Sequence, residues 1–121
     1  MTPQADQLAK LACEACSGSA GRLIGSELEQ YAGEVPHWNV IEAGRIERTF
    51  RFPDFRQALD FVNRLGELAE RDQHHPDIYL AYGKVRVELW THKAHGLTRS
   101  DFILGAKIDR MWQNRRSRTA G

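Results

Sequence analysis

Between Pro53 and His74 the apolar residues Phe55, Ala58, Leu59, Val62, Leu65 and Ala69 recur at the 3.6-residue period of a single helix face. Such a stripe must be buried, so the segments flanking it decide what it packs on. On both sides the period changes to two. In residues 45–52, Ile46, Phe50 and Phe52 alternate with Glu47, Thr49 and Arg51; in residues 84–91, Val85, Val87 and Leu89 alternate with Arg86, Glu88 and Trp90. Each run is the second arm of a hairpin, the first arms being residues 38–41, before a turn at Glu42-Ala43-Gly44, and residues 78–82, before Gly83. A helix set between two hairpins with one apolar face each predicts an α+β fold: a two-layer ββαββα unit whose four-stranded antiparallel sheet is covered on one face by two helices.

The second covering helix follows Gly96-Leu97. Thr98 is its expected N-cap, Asp101 stands at the third helical position, and Leu104, Ile108, Met111 and Trp112 form its apolar face. Pro53-Asp54 plays the same stop-and-start role for the central helix. A short additional helix is expected from the capping-box pattern Ser26-Glu27-Leu28-Glu29, ending near Gly33 and Pro36. Arg48 breaks the alternation by falling on the apolar side, so its head group must escape at an edge or meet a partner. The domain reading is a flexible leader over residues 1–25, one domain over 26–113, and a basic disordered tail over 114–121 that carries Arg115, Arg116 and Arg118. Two sheet edges, and Met111 and Trp112 with little chain left to cover them, predict a homo-oligomer.

Charge excludes some partners. Lys and Arg number 17 against 16 Asp and Glu, a formal net charge of +1, which lacks the basic excess of a nucleic-acid binder, so no direct nucleic-acid partner is expected. No apolar run approaches the ~20 residues of a membrane span, and the N-terminus has no signal-peptide pattern, so a cytoplasmic protein without membrane partners is expected. Cys13 and Cys16, in Cys-Glu-Ala-Cys, lack the second half of a zinc site and read as incidental reduced thiols.

Chemistry concentrates in Glu70, His74-His75-Pro76, His92 and Asp101. Imidazole both gives and takes a proton near neutrality, so three histidines among carboxylates point to acid/base catalysis. Pro76 holds His75 extended, and successive extended residues point to opposite sides, so the two loop histidines need not act as a unit. His92 is expected to continue the outward alternation of Arg86, Glu88 and Trp90 and to meet the loop histidines on the uncovered face. Glu70 is close enough in sequence to His74 to orient or charge a ring. Asp101 is either a helix-start carboxylate or a ligand contact. His37 and His95 read as surface residues. A metal site is the weaker reading, because His92-Lys93-Ala94-His95 at a strand end does not present both rings on one side, and none is expected. Neither a nucleophile elbow nor a glycine-rich phosphate loop occurs.

The spacing Glu70, three residues, His74-His75-Pro76, five residues, Tyr82, nine residues, His92, eight residues, Asp101 resembles the active-site signature of the pterin-4a-carbinolamine dehydratases. Trp38, Phe50-x-Phe52, the helix of residues 55–69 and Thr91-His92-x-x-x-Gly96-Leu97-Thr98 agree with it, and the resemblance spans roughly residues 27–112. It implies a ββαββα fold in homodimers or homotetramers. The implied reaction is dehydration of 4a-hydroxytetrahydropterin to quinonoid dihydropterin, in recycling of the tetrahydrobiopterin used by aromatic amino acid hydroxylases. The pterin is then substrate, and no separate cofactor is implied. By carry-over the catalytic set is His74, His75 and His92, with His74 and His92 as the acid/base pair and His75 mainly binding. Glu70, Trp38, Tyr82 and Asp101 are the substrate-binding set, Trp38 and Tyr82 as aromatic walls. The chain departs from animal members at Ile78, where they carry an aromatic residue, and at Ala94, where they carry cysteine. Relatives that bind a homeodomain transcription factor, or that resemble Rubisco assembly chaperones of carboxysome gene clusters, make a non-catalytic protein-binding factor the alternative. A hydroxylase or Rubisco is the corresponding protein partner.

Overall fold

The computed structural model describes residues 21–119, with side chains to residue 115. Cys13 and Cys16, and most of the expected leader, lie outside the described residues. The elements in order are helix α1 (Gly25–Glu34), strands β1 (Asn39–Ile41) and β2 (Arg45–Arg51), helix α2 (Phe55–Asp72), strands β3 (Asp77–Ala81) and β4 (Lys84–Leu89), a 3₁₀ turn (His92–Ala94) and helix α3 (Arg99–Thr119). The sheet is antiparallel with order β1-β2-β4-β3, so the two hairpins join through their second arms and leave β1 and β3 as edges.

Register explains which residues are inside. Ile46 lies opposite Leu89, Arg48 opposite Val87 and Phe50 opposite Val85. Facing residues share a side of the sheet, and apart from Arg48 these inward positions are buried. Against them pack Ala58, Phe61 and Leu65 of α2 and Leu104 and Ile108 of α3. Each fully buried residue of this kind contributes roughly 1.5–3 kcal/mol relative to exposure. The Phe50 ring lies 4.8 Å from Phe61 and 5.0 Å from Trp112 between centroids.

Several expectations are corrected. The buried stripe of α2 is Ala58, Phe61, Leu65, Leu68 and Ala69, whereas Phe55 is exposed. A first-turn residue can satisfy the period yet lie beyond the sheet. Ser26 is not an N-cap: the N-cap is Ile24, two residues earlier, and it makes no side-chain cap. Leu23, assigned to the leader, is buried, and its N–H donates to Leu97 O at 2.7 Å. The last helix runs on to Thr119 rather than yielding to a disordered tail at 114. Within it Arg115 places its guanidinium 3.2 Å from the Trp112 ring centroid and donates to Trp112 O. Trp112 packs between Phe50, Phe52 and Phe61, so it is not left uncovered.

Arg48 meets a partner, as its place on the apolar side requires. Its Nη1 donates to Asp109 Oδ1 on α3, which also accepts from Trp38 Nε1 at 2.8 Å. Burial raises the Asp109 carboxyl above its ordinary value, against the lowering effect of the Trp38 and Arg48 hydrogen bonds and the Arg48 and His37 charges.

Candidate active site

The site begins with a backbone reversal at the end of α2. Gln73 adopts a left-handed conformation, φ 53°, and its N–H donates to Glu70 O while the His74 N–H donates to Ala69 O. This pairing is a Schellman motif with glutamine where glycine is usual, at an αL cost of roughly 1 kcal/mol. The Gln73 side chain offsets part of that cost by donating to Glu70 O at 2.7 Å. The reversal turns His74 inward, and Pro76 two residues later carries the chain into β3.

His74 is buried, and its Nε2–H donates to Asp101 Oδ1 at 2.6 Å. Asp101, fully buried at the start of α3, uses its other oxygen twice. Oδ2 accepts from the Thr98 N–H at 2.9 Å and from the Thr91 hydroxyl at 2.8 Å. Thr98 Oγ1 closes the network against Thr91 Oγ1 at 2.9 Å. Asp101 is thus a helix-start carboxylate whose second oxygen holds an imidazole, and it does not line the cleft itself. A buried carboxylate needs such saturation, since an unmet acceptor there is costly.

His75 points the other way. Its Nε2 pairs with Glu70 Oε2 in an exposed contact, so Glu70 serves His75 rather than His74. His92 does not extend β4, which ends at Leu89; it opens the 3₁₀ turn His92–Ala94. Thr91 and Gly96 close this loop by exchanging backbone hydrogen bonds at 2.8 and 3.4 Å. His92 is exposed and its ring lies against Trp90, centroids 3.8 Å apart and planes at 38°. The two loops enclose an open cleft of about 360 Å³, lined by His74, His75 and His92 with Gln73, Pro76, Asp77, Trp90, Thr91 and Lys93. Its size is in the range of small-molecule sites.

Two expected walls lie elsewhere. Trp38 is a core residue, its ring edge-on to Phe50 and its N–H on Asp109. Tyr82 is exposed beyond Ala81, at the opposite end of the β3–β4 hairpin from Asp77 and so roughly 16 Å away along the strand. The spacing places both correctly in sequence but cannot say which end of a strand or which side of a sheet they occupy. Conversely, Thr91, Thr98 and Trp90 are at the site without having been assigned to it. The only signal for Trp90 was its place two residues before His92 on an alternating run. Among the described residues no group of three or more His, Cys, Asp or Glu side chains is arranged to hold a metal ion. No described helix is long and apolar enough to cross a membrane.

Residues 22–111 match the family model described as pterin 4 alpha carbinolamine dehydratase. A Rubrobacter xylanophilus protein provisionally named pterin-4-alpha-carbinolamine dehydratase is 49% identical over 105 residues, spanning 87% of this chain and 98% of its own. A Chlorobium limicola protein of the same provisional name is 47% identical over 105 residues, spanning 84% and 93%. Among solved structures, a Brucella melitensis protein described as a transcriptional coactivator/pterin dehydratase superposes with a TM-score of 0.71 at 32% identity, covering 75% of this chain and 98% of that one.

Proposed function

The chain belongs to the pterin-4a-carbinolamine dehydratase family, and from that premise we propose that it dehydrates 4a-hydroxytetrahydropterin to quinonoid dihydropterin by histidine acid/base catalysis in the His74–His75–His92 cleft. The observation that carries this reading is the convergence of three imidazoles on one cleft, each with a different partner: Asp101, Glu70 and Trp90.

The reaction breaks the C4a–O bond and removes the N5 proton. His92, exposed on its turn, donates a proton to the departing oxygen so that water rather than hydroxide leaves. His74 is the base. With Nε2–H committed to Asp101, its Nδ1 lone pair takes the N5 proton, and the N5–H electron pair becomes the N5=C4a double bond. His75, steadied by Glu70, binds the polar edge of the pterin. Because β1 and β3 pair on one side only among the described residues, the active species is proposed to be a homodimer or homotetramer.

Dehydration measured above the spontaneous rate tests this. His92→Ala should lower kcat by about 10²–10⁴ with little change in stability, as expected for loss of a general acid from an exposed position. His74→Ala should lower it similarly and also destabilise the fold, since its ring is buried. Near-wild-type turnover in both single variants and in the double variant would exclude the assignment.

A second reading is supported by the Brucella neighbour, whose description joins coactivator to dehydratase. The sheet face away from the helices carries Tyr79 and Arg86, with the guanidinium 4.2 Å from the ring centroid, and none of the described helices lies over it. A protein-binding role on that face predicts a wild-type chain that never exceeds the spontaneous dehydration rate.

A further inference from the structure

With Trp38 in the core and Tyr82 at the far end of its hairpin, the aromatic wall of the cleft is supplied by Trp90. Three observations define its setting. Strand alternation puts Trp90 on the side of the sheet away from the helices, just past the end of β4. Its ring lies 3.8 Å from that of His92. Its indole N–H reaches Asp77 Oδ2 at 3.4 Å, on the first residue of the neighbouring strand and next to Pro76. The indole is thus anchored at its N–H and overlaid by the imidazole.

An exposed histidine on a 3₁₀ turn has little else to fix its ring plane. The tilted ring contact with an indole held at its N–H restricts that rotation, and the flat apolar face beside the imidazole offers a surface for the planar part of a ligand. We infer that Trp90 is a positioning and specificity residue: it limits the orientation of the His92 ring and supplies the wall that receives the flat guanidine–amide part of the pterin. For the identity of the substrate this rests on the dehydratase reading; for the wall it rests on the Trp90–His92–Asp77 geometry.

The test compares Trp90→Phe with Trp90→Leu in the full chain. It reads kcat and KM for pterin dehydration, the Kd of 7,8-dihydrobiopterin by equilibrium dialysis, and the His92 Cε1–H resonance by NMR, with thermal unfolding as a control. Trp90→Leu should raise KM and Kd by about tenfold and lower kcat by a comparable factor, whereas the flat ring of Trp90→Phe should restore all three to within about threefold of wild type. The His92 resonance should lose its ring-current shift in the Leu variant. A Leu variant with KM and Kd within about twofold of wild type, or with an unmoved His92 resonance, would overturn the inference. Should Trp90→Leu not fold, Asp77→Ala releases the indole anchor and should move Kd and the resonance in the same direction by less; no movement would overturn it equally. If wild type does not exceed the spontaneous rate, the dehydratase reading fails, and the Kd and NMR comparisons still decide the role of Trp90. A wild-type chain that does not bind the dihydropterin overturns both.

Discussion

His74 and His75 share a peptide bond and each pairs with a carboxylate, yet the two pairs live in different solvents. The side chains of His74 and Asp101 are 8% and 0% exposed; those of His75 and Glu70 are 59% and 73% exposed. The contrast follows from backbone geometry. Gln73 turns the chain back at the end of α2, and extended backbone at the following residues sends one ring inward and the next outward. In the buried pair every polar atom of Asp101 is engaged by a fixed donor, so the His74 ring is held in one orientation. The exposed pair competes with water and salt for the same contact, leaving His75 free to exchange Glu70 for a ligand. One sequence motif therefore provides both a preorganised group and an adaptable one.

The strongest challenge to that contrast is Asp101→Ala. It strands His74 Nε2–H, the Thr91 hydroxyl and the Thr98 N–H in a buried setting, so about 3 kcal/mol of folding stability should be lost by urea unfolding. A loss below about 1 kcal/mol would mean that the buried network is not what holds His74.

Asp109 is a second buried carboxylate, remote from the cleft, and it sharpens the comparison through pH. Burial raises its carboxyl above 3.8, so the folded state holds this proton more tightly than the unfolded state does. Its contribution to stability is therefore fullest below 3.8 and declines as pH rises through the folded value. Unfolding measured over a pH series should show wild type losing stability relative to Asp109→Asn across that window and running parallel to it above. A relative gain with rising pH would show that Arg48 and Trp38 outweigh desolvation.

Smallest should be Glu70→Gln, which alters only an exposed side-chain contact. Stability should stay within about 0.5 kcal/mol of wild type, with any effect confined to KM and weakened by added salt. A stability loss as large as that of Asp101→Ala would erase the distinction between the pairs.

Much of the fold could be read from pattern. The period-two runs predict both hairpins and their inward residues, and the misplaced polar residue Arg48 correctly signals a buried partner. Thr98 and Asp101 mark the start of α3 because capping is local, set within four residues. The site was harder. The left-handed Gln73 has no glycine to announce it, so the inward turn of His74 was invisible. His92 was assigned to continuing strand, because nothing in Trp90-Thr91-His92 records that the Thr91–Gly96 backbone pairing bends the chain into a 3₁₀ turn. The family resemblance implies Trp38 and Tyr82 as cleft walls, but matching positions along the chain carry no distance across a sheet.

By itself the sequence determined the layers, the element order, the inward faces and the set of histidines and carboxylates available for proton transfer, because periodicity and capping are short-range properties of the chain. Only the tertiary structure decided which carboxylate each histidine meets, that Asp101 serves helix and imidazole at once, and that Trp90 rather than Trp38 or Tyr82 walls the cleft. Those outcomes depend on contacts between the end of α2, the loop after β4 and the start of α3. Side-chain direction there is set by backbone reversals and packing that no local window of residues contains.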